Sequence, residues 1–371
     1  MTLRFGVFDH IEPVPGLGLD RIYRERLLQI ERLDAAGFYA YHLAEHHTPA
    51  IHSLAPSQNV FLAAVAQRTH RLRFGPCVYV LPLHHPLRLI EEISMLDNLS
   101  GGRLDIGVGR GGVMEAYFWG QEADSETNYA RYVETLAIVR EGLSHDQLTY
   151  AGHFHRFDHL PMYLRPLQQP YPPLWYMRNP ATAAAEGMHT ILVGSLDSLA
   201  SAVTRYRAAW DEHQGVGTRT VQGQEAMIGL VVHLVVADTD EAAIRIATPA
   251  WEKYRWNLAA PRRLEAEKRG LTQFMQTKDG SFGSLATGPP GCRPARCGAT
   301  SMPSSSASTS RSSGPIRTAW AEWPWPARRP RCASTWTSTW PPGPTTSCAP
   351  SSGAISPMSR RCAPSSCSRP R

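Results

Sequence analysis

Gly-Gly-Arg-Leu-Asp-Ile-Gly-Val-Gly-Arg-Gly-Gly, residues 101–112, decides how the chain is read. Residues 104–108 are a short apolar run with glycine on both sides, as expected of a buried strand, and Arg110 sits just past its C-terminal end. In α/β folds, ligand groups gather at that end of the strands. Glycine lets a backbone approach a ligand closely and adopt positive φ, while a guanidinium offers a planar donor fork suited to phosphate oxygens. The same residues would also make a tight turn carrying a solvated arginine, so the flanking sequence must decide.

Outward from this strand, one unit repeats. Upstream, a strand over 3–8 is followed by turn residues 13–18. A helix over 22–36 then carries Leu27, Leu28, Ile30 and Leu33 on its inner side and ends at Gly37. A strand over 39–43 runs into Glu45-His46-His47 and is followed by a helix over 59–69. A strand over 72–81 stops at Pro82 and leads through His84, His85 and Pro86 into a helix over 87–99. Downstream come a helix over 129–142, a loop over 150–170 and a strand over 174–177. Asn179-Pro180-Ala181-Thr182 then opens a short helix, proline being well suited to a first helical turn. Strands over 190–193 and 228–236 are each followed by a helix, over 196–213 and 240–254, and a second loop spans 261–283. Seven strand-then-helix units with continuous apolar strands predict parallel strands covered by helices. The fold class is α/β, and a TIM (β/α)8 barrel would need an eighth unit.

That unit is missing from the readable sequence. After Thr287 there is no Leu, Val, Phe, Tyr, Asp, Asn, Gln, Lys or His, while Ser, Pro, Arg and Ala multiply. Residues 288–371 hold eleven arginines and one acid, Glu322, so they carry +10; of the formal +6, residues 1–287 carry −4. The basic pI therefore belongs to this segment and does not imply a nucleic-acid partner for the rest. Cys77 is the sole cysteine before it; the other six lie within it. Ser and Pro favour a disordered tail, but Trp320, Trp323, Trp325, Trp336 and Trp340 oppose that reading.

A second reading is translation in a shifted frame. Trp323-Pro324-Trp325-Pro326 must be encoded TGG CCN TGG CCN, and starting one base earlier gives Ala, then Leu, Val or Met, then Ala. Residues 342–348 treated likewise permit Gly-Ala-Asp-Tyr-Phe-Val, and residues from 350 onward permit an amphipathic helix. The expected organisation is thus a barrel domain over 1–287 and an aberrant, irregular Ser/Pro/Arg-rich tail over 288–371, the eighth strand and helix being lost to a frameshift. No run approaches the roughly 18 apolar residues of a membrane span. The absence of a signal peptide points to the cytoplasm.

Leu-Ala-Glu-His-His at 43–47, Val-Leu-Pro-Leu-His-His-Pro at 80–86, Leu-Asp-Asn-Leu-Ser-Gly-Gly-Arg-Leu at 96–104 and Gly-Val-Gly-Arg-Gly at 107–111 resemble the bacterial-luciferase-like flavin monooxygenase superfamily. The resemblance covers about residues 3–256. It implies a TIM barrel binding reduced FMN, or in relatives a deazaflavin coenzyme, at the strands' C-terminal ends. It further implies dioxygen, a small-molecule substrate, a separate flavin reductase and a homodimer. His46 matches the histidine implicated in acid/base work beside the flavin, and Arg110 the arginine that grips the FMN phosphate, flanked by Gly109 and Gly111. Gly109 stands where luciferase has a reactive cysteine, and Glu115 at a position that is acidic there too. Cys77 and Val78 match a cis peptide against the flavin. Asn179 and Thr182 fall in the second phosphate-binding turn, where Arg178-Asn179-Pro180 departs from the luciferase Glu-Ser pair.

Plainer readings stand beside these. His46 and His47 could be a surface pair, His84-His85 a structural turn, and His10 a packing residue; His10, His85 and Glu115 otherwise line the substrate cavity. No metal is expected, since His42, His46 and His47 lack a matching carboxylate spacing. The function classes are a two-component FMN monooxygenase, a deazaflavin-dependent hydride transferase, and a non-catalytic flavin-binding or inactive truncated product.

Overall fold

The computed structural model describes residues 3–49, 52–213 and 226–271. The chain divides into units Met1–Cys297 and Gly298–Arg371, and all described residues belong to the first. The expected boundary at 287, the character of the tail and its frame lie outside the described residues.

In chain order the elements are β1 (Gly6–Asp9), α1 (Leu19–Ala35), β2 (Ala40–Leu43), α2 (Gln58–Arg68), β3 (Arg73–Pro76), β4 (Tyr79–Val80), α3 (Pro86–Ser100), β5 (Ile106–Gly109), α4 (Val113–Phe118) and α5 (Ser125–Ser144). There follow β6 (Gln147–Ala151), β7 (Arg156–Pro161), β8 (Leu174–Tyr176), α6 (Pro180–Ala185), β9 (His189–Leu192), α7 (Leu196–Glu212), β10 (Ile228–Leu230) and α8 (Asp240–Lys268). Strands β1-β2-β3 pair in parallel, as do β4-β5-β8-β9-β10. A parallel bridge from Phe74 to Leu104 joins the two sets. The strands therefore follow one another in chain order, as the sequence pattern predicts. Tyr41 and Leu43 of β2, Phe74 of β3, and Ile106 and Val108 of β5 are fully buried, whereas β1 and β10 are only partly covered.

The opening stretch shows how the chain turns from helix to strand. Proline at the first turn starts α3, and Gly101 ends it at φ +67°. The N–H groups of Gly101 and Gly102 donate to the Asn98 and Asp97 carbonyls, a left-handed cap that favours glycine. Below β5, Arg73 closes on Asp105 at 2.6 Å, tying β3 to the start of β5.

Five expectations need correction. The single strand over 72–81 is two, β3 and β4, on either side of the cis Cys77–Val78 peptide. The loop over 150–170 contains most of an antiparallel hairpin, β6-β7. Its turn is fastened by the Glu134 carboxylate, which accepts from the N–H groups of His153, Phe154 and His155 at 2.7–2.9 Å. The strand over 228–236 pairs only through Leu230, and α8 continues past residue 254 to Lys268 with Pro249 and Pro261 inside it. Leu28 of α1 is half exposed, not inward.

Candidate functional site

β2 is buried along its whole length and delivers its continuation, Ala44 to His47, to the rim formed by the C-terminal ends of the strands. Three other segments meet it there. His10 follows β1, and its ring stacks on His46 with centroids 5.6 Å apart and planes 8° apart. Glu115 projects from α4, where its Oε2 accepts from the Gly112 N–H at 3.1 Å. Arg262 arrives from α8, and its Nη2 lies 2.7 Å from His46 Nδ1 and 2.9 Å from Glu115 Oε1. Since a guanidinium only donates, it assigns Nδ1 of His46 as acceptor and puts the ring proton on Nε2.

The electrostatics follow from this burial. Burial alone would raise the Glu115 carboxyl, but Arg262, His46 and the Gly112 N–H together outweigh it and hold it at about 2. Burial lowers His46, and Glu115 only partly opposes this. Burial, then His46, His233 and Arg262, lower His10 to about 3. At neutral pH the rim thus holds an ionised Arg262–Glu115 pair beside neutral imidazoles.

Beside this cluster the glycines of the opening stretch serve close packing. A Cβ on Gly109 would lie 2.5 Å from Val78 Cγ2, and one on Gly111, whose φ is +67°, would collide with Val80 Cγ1 and come within 3.2 Å of Glu115 Oε2. The neighbouring strand is therefore what demands glycine here. It also connects Cys77 and Val78, through Gly109 and Gly111, to Glu115 and His46. Burial, then Asp105, push the Cys77 thiol up to about 12, so it is not a thiolate near neutral pH.

Arg110 lies two residues beyond Val108, which pairs with Tyr176; Arg178 lies two residues beyond Tyr176. The two arginines therefore stand at adjacent strand ends. Burial raises the Tyr176 hydroxyl, and both arginines pull against that shift. Arg110 Nη1 donates to Ser125 Oγ at 3.3 Å. Asn179 and Thr182 are exposed at the start of α6, where the Asn179 side chain itself accepts from the Ala181 and Thr182 N–H groups at 3.1 and 3.3 Å.

The remaining histidines part company. His85 stands against His155 and helps line a cavity of about 200 Å³ with His84, Gln121 and Arg131. Neither His10, His46 nor Glu115 lines that cavity. His47 and His84 converge on buried Glu45, at 2.7 and 3.0 Å. There burial is outweighed in both directions, so Glu45 is held low and His84 raised. His42 turns to Asp105 at 3.4 Å. The expectation of no metal ligands thus rests on a trio, His42, His46 and His47, that the fold separates. The trio it assembles is His10, His46 and His52. Sequence reading missed His52 and Arg262 because neither lies in a motif and Arg262 is 216 residues from His46.

Residues 3–290 match the family described as luciferase-like monooxygenase. An uncharacterized protein, y4wF, of Sinorhizobium fredii is 40% identical over 257 residues, covering 68% of this chain and 72% of its own. The oxygenase component of flavin-dependent trigonelline monooxygenase from Acinetobacter baylyi is 28% identical over 254 residues, covering 65% and 67%. Among solved structures, the monooxygenase RslO1 of Streptomyces bottropensis superposes with a TM-score of 0.63 at 24% identity, over 72% of this chain and 82% of its own. The oxygenating constituent of 3,6-diketocamphane monooxygenase from Pseudomonas putida, in complex with FMN, gives 0.56 at 19% over 73% and 80%. An F420-dependent secondary alcohol dehydrogenase gives 0.54 at 19% over 68% and 75%. At such identities the structures speak for the fold, which is of the TIM-barrel type. The family match runs through every strand described above, and the chain belongs to the luciferase-like monooxygenase family.

Proposed function

We propose that the protein uses reduced FMN, delivered by a separate flavin reductase, and dioxygen to oxidise a small organic substrate. The observation that carries this reading is the placement of Arg110 and Arg178 at adjacent strand ends, on the rim that also holds His46. Two guanidinium groups fit a phosphate dianion, Arg110 with Ser125 beside it. At the Asn179 turn the fit is poorer, because the side chain already holds the N–H groups an anion would use. Reduced FMN, when bound, supplies the electrons for dioxygen chemistry. The chain's part is to grip the phosphate at Arg110 and Arg178, exclude water with buried Gly109 and half-buried Val78 and Gly111, and hold a proton at Nε2 of His46.

Hydride transfer with a deazaflavin coenzyme is the second reading, favoured by the F420-dependent fold neighbour. Anaerobic binding titrations separate the two. The monooxygenase reading expects reduced FMN to bind more tightly than reduced F420, with oxygen uptake when a reductase and a substrate panel are added. Tighter F420 binding without oxygen uptake would overturn it. Among the described residues no helix is long and apolar enough to cross a membrane.

A further inference from the structure

We propose that His10, His46 and His52 form a binding site for one divalent transition cation of the Zn2+ type. One ring nitrogen from each lies within 4.8 Å of the other two. The ring centroids are 5.6 Å apart for His10 and His46, 5.5 Å for His10 and His52, and 3.9 Å for His46 and His52. Tetrahedral Zn2+ with Zn–N bonds of about 2.0–2.1 Å holds its nitrogens roughly 3.4 Å apart, so ring shifts on the order of 1 Å bring the three onto a common ion.

A second observation points to a ligand. His52 is 0% exposed, yet neither of its ring nitrogens has a hydrogen-bond partner among the described residues. The backbone of Asn257 bears on the ring without closing a good hydrogen bond. Buried polar atoms are ordinarily satisfied, and a cation at one nitrogen would do so.

The surrounding charges are compatible. Arg262 faces the trio, but Glu115 answers its charge at 2.9 Å. Ligation through Nε2 of His46 moves that ring's proton to Nδ1, so the Arg262 N–H that donates there at 2.7 Å must turn aside, and Glu115 Oε1, 3.5 Å away, becomes the acceptor. This is the carboxylate–histidine–metal arrangement common around bound metals, and no proton is gained or lost in it. Three imidazoles without a carboxylate or thiolate ligand suit Zn2+, Cu2+ or Ni2+ and not Mg2+ or Ca2+. A fourth position stays open to water or an anion. The site needs no flavin and its test reads metal binding alone; a cation at Nε2 of His46 displaces the proton that the monooxygenase reading places there, so the two occupancies exclude one another.

The test titrates Co2+, as a spectroscopic stand-in for Zn2+, into the full chain after EDTA treatment and alkylation of its accessible thiols. The expected result is one Co2+ per chain with the intense visible bands of a four-coordinate ion and no near-ultraviolet thiolate charge-transfer band. His52→Ala and His10→Ala should each weaken binding by at least about tenfold, against a distant control, His145→Ala, that changes nothing. X-ray absorption at the Zn edge of the unsubstituted chain counts the ligands even if a variant fails to fold. Three imidazoles support the site; fewer than three, a six-coordinate Co2+ spectrum, or binding indifferent to His52→Ala overturns it.

Discussion

Arg262 determines which proton His46 can offer. By donating to Nδ1 at 2.7 Å it leaves Nε2 as the protonated nitrogen. His46→Ala should therefore lower turnover by about 10²- to 10⁴-fold at saturating flavin while FMN affinity changes far less. An unchanged rate would reduce His46 to packing. Because burial lowers this imidazole, partly opposed by Glu115, the ring stays neutral as pH falls past the ordinary value of 6.5. The pH–rate profile of the unsubstituted protein should accordingly show no break from this group near 6.5. Arg110 tests the other end of the cofactor. Charge-assisted hydrogen bonds contribute about 1.5–3 kcal/mol, so Arg110→Ala should weaken FMN at least about tenfold while riboflavin, lacking the phosphate, loses little. Equal losses for both ligands would remove Arg110 from the phosphate site. The histidine and arginine motifs were legible because they sit at strand ends within short, contiguous sequence. His52 and Arg262 were not, because only tertiary packing brings them to His46.

Among the elements, the β6-β7 hairpin depends on one side chain of a neighbouring helix. Glu134 of α5 is buried and its carboxylate accepts from three successive N–H groups of the hairpin turn. Burial alone would raise its pKa, but those three donors together outweigh it, so the folded value lies below the ordinary 4.5. A lowered carboxyl stabilises the fold fully above the unfolded value, and that contribution is lost as pH falls from 4.5 through the folded pKa. Glu134→Gln should thus lower the denaturation midpoint at pH 7, with the gap to the unsubstituted protein narrowing below pH 4.5. A gap that stays constant in acid would show that packing, not charge, is what Gln loses. The hairpin was hidden in the sequence because its outward positions dominate: of β6 and β7 only Leu148 is fully buried, and no Asn-Gly or Asp-Gly turn marks it. The inner parallel strands β2, β5 and β9 were readable for the opposite reason, being buried along their whole length. The loop expected from residue 261 begins as helix, because α8 runs on through Pro261 to Lys268.

At the scale of the whole molecule, the parallel strands begin with β1 and end with β10, and among the described residues each has a strand partner on one side only. The apolar surface beside this opening is uncovered: Phe5 is 64% exposed, Val232 73%, Leu234 77% and Val236 82%. The sequence reads residues 228–236 as a full strand, yet pairing stops at Leu230, opposite Leu192, the last residue of β9. A closed barrel removes such edges, which otherwise present unpaired N–H and C=O groups to other chains. As written, residues 288–371 hold no Leu, Val, Phe or Tyr from which to build a strand or an amphipathic helix. Decoded one base earlier, residues 342–348 permit Gly-Ala-Asp-Tyr-Phe-Val, an aromatic and β-branched run suited to a strand between β10 and β1. The expected outcome is that a chain carrying the shifted reading of residues 288–371 is soluble, melts in one cooperative transition and binds FMN, while the chain as written aggregates or binds weakly. Parallel expression of both, followed by thermal melts and FMN titration, decides it. Sequencing of the coding DNA shows independently whether the earlier frame runs open to a terminator. If the written chain melts as cooperatively and binds FMN as tightly as the shifted one, the opening between β10 and β1 is tolerated and the frame has no bearing on function.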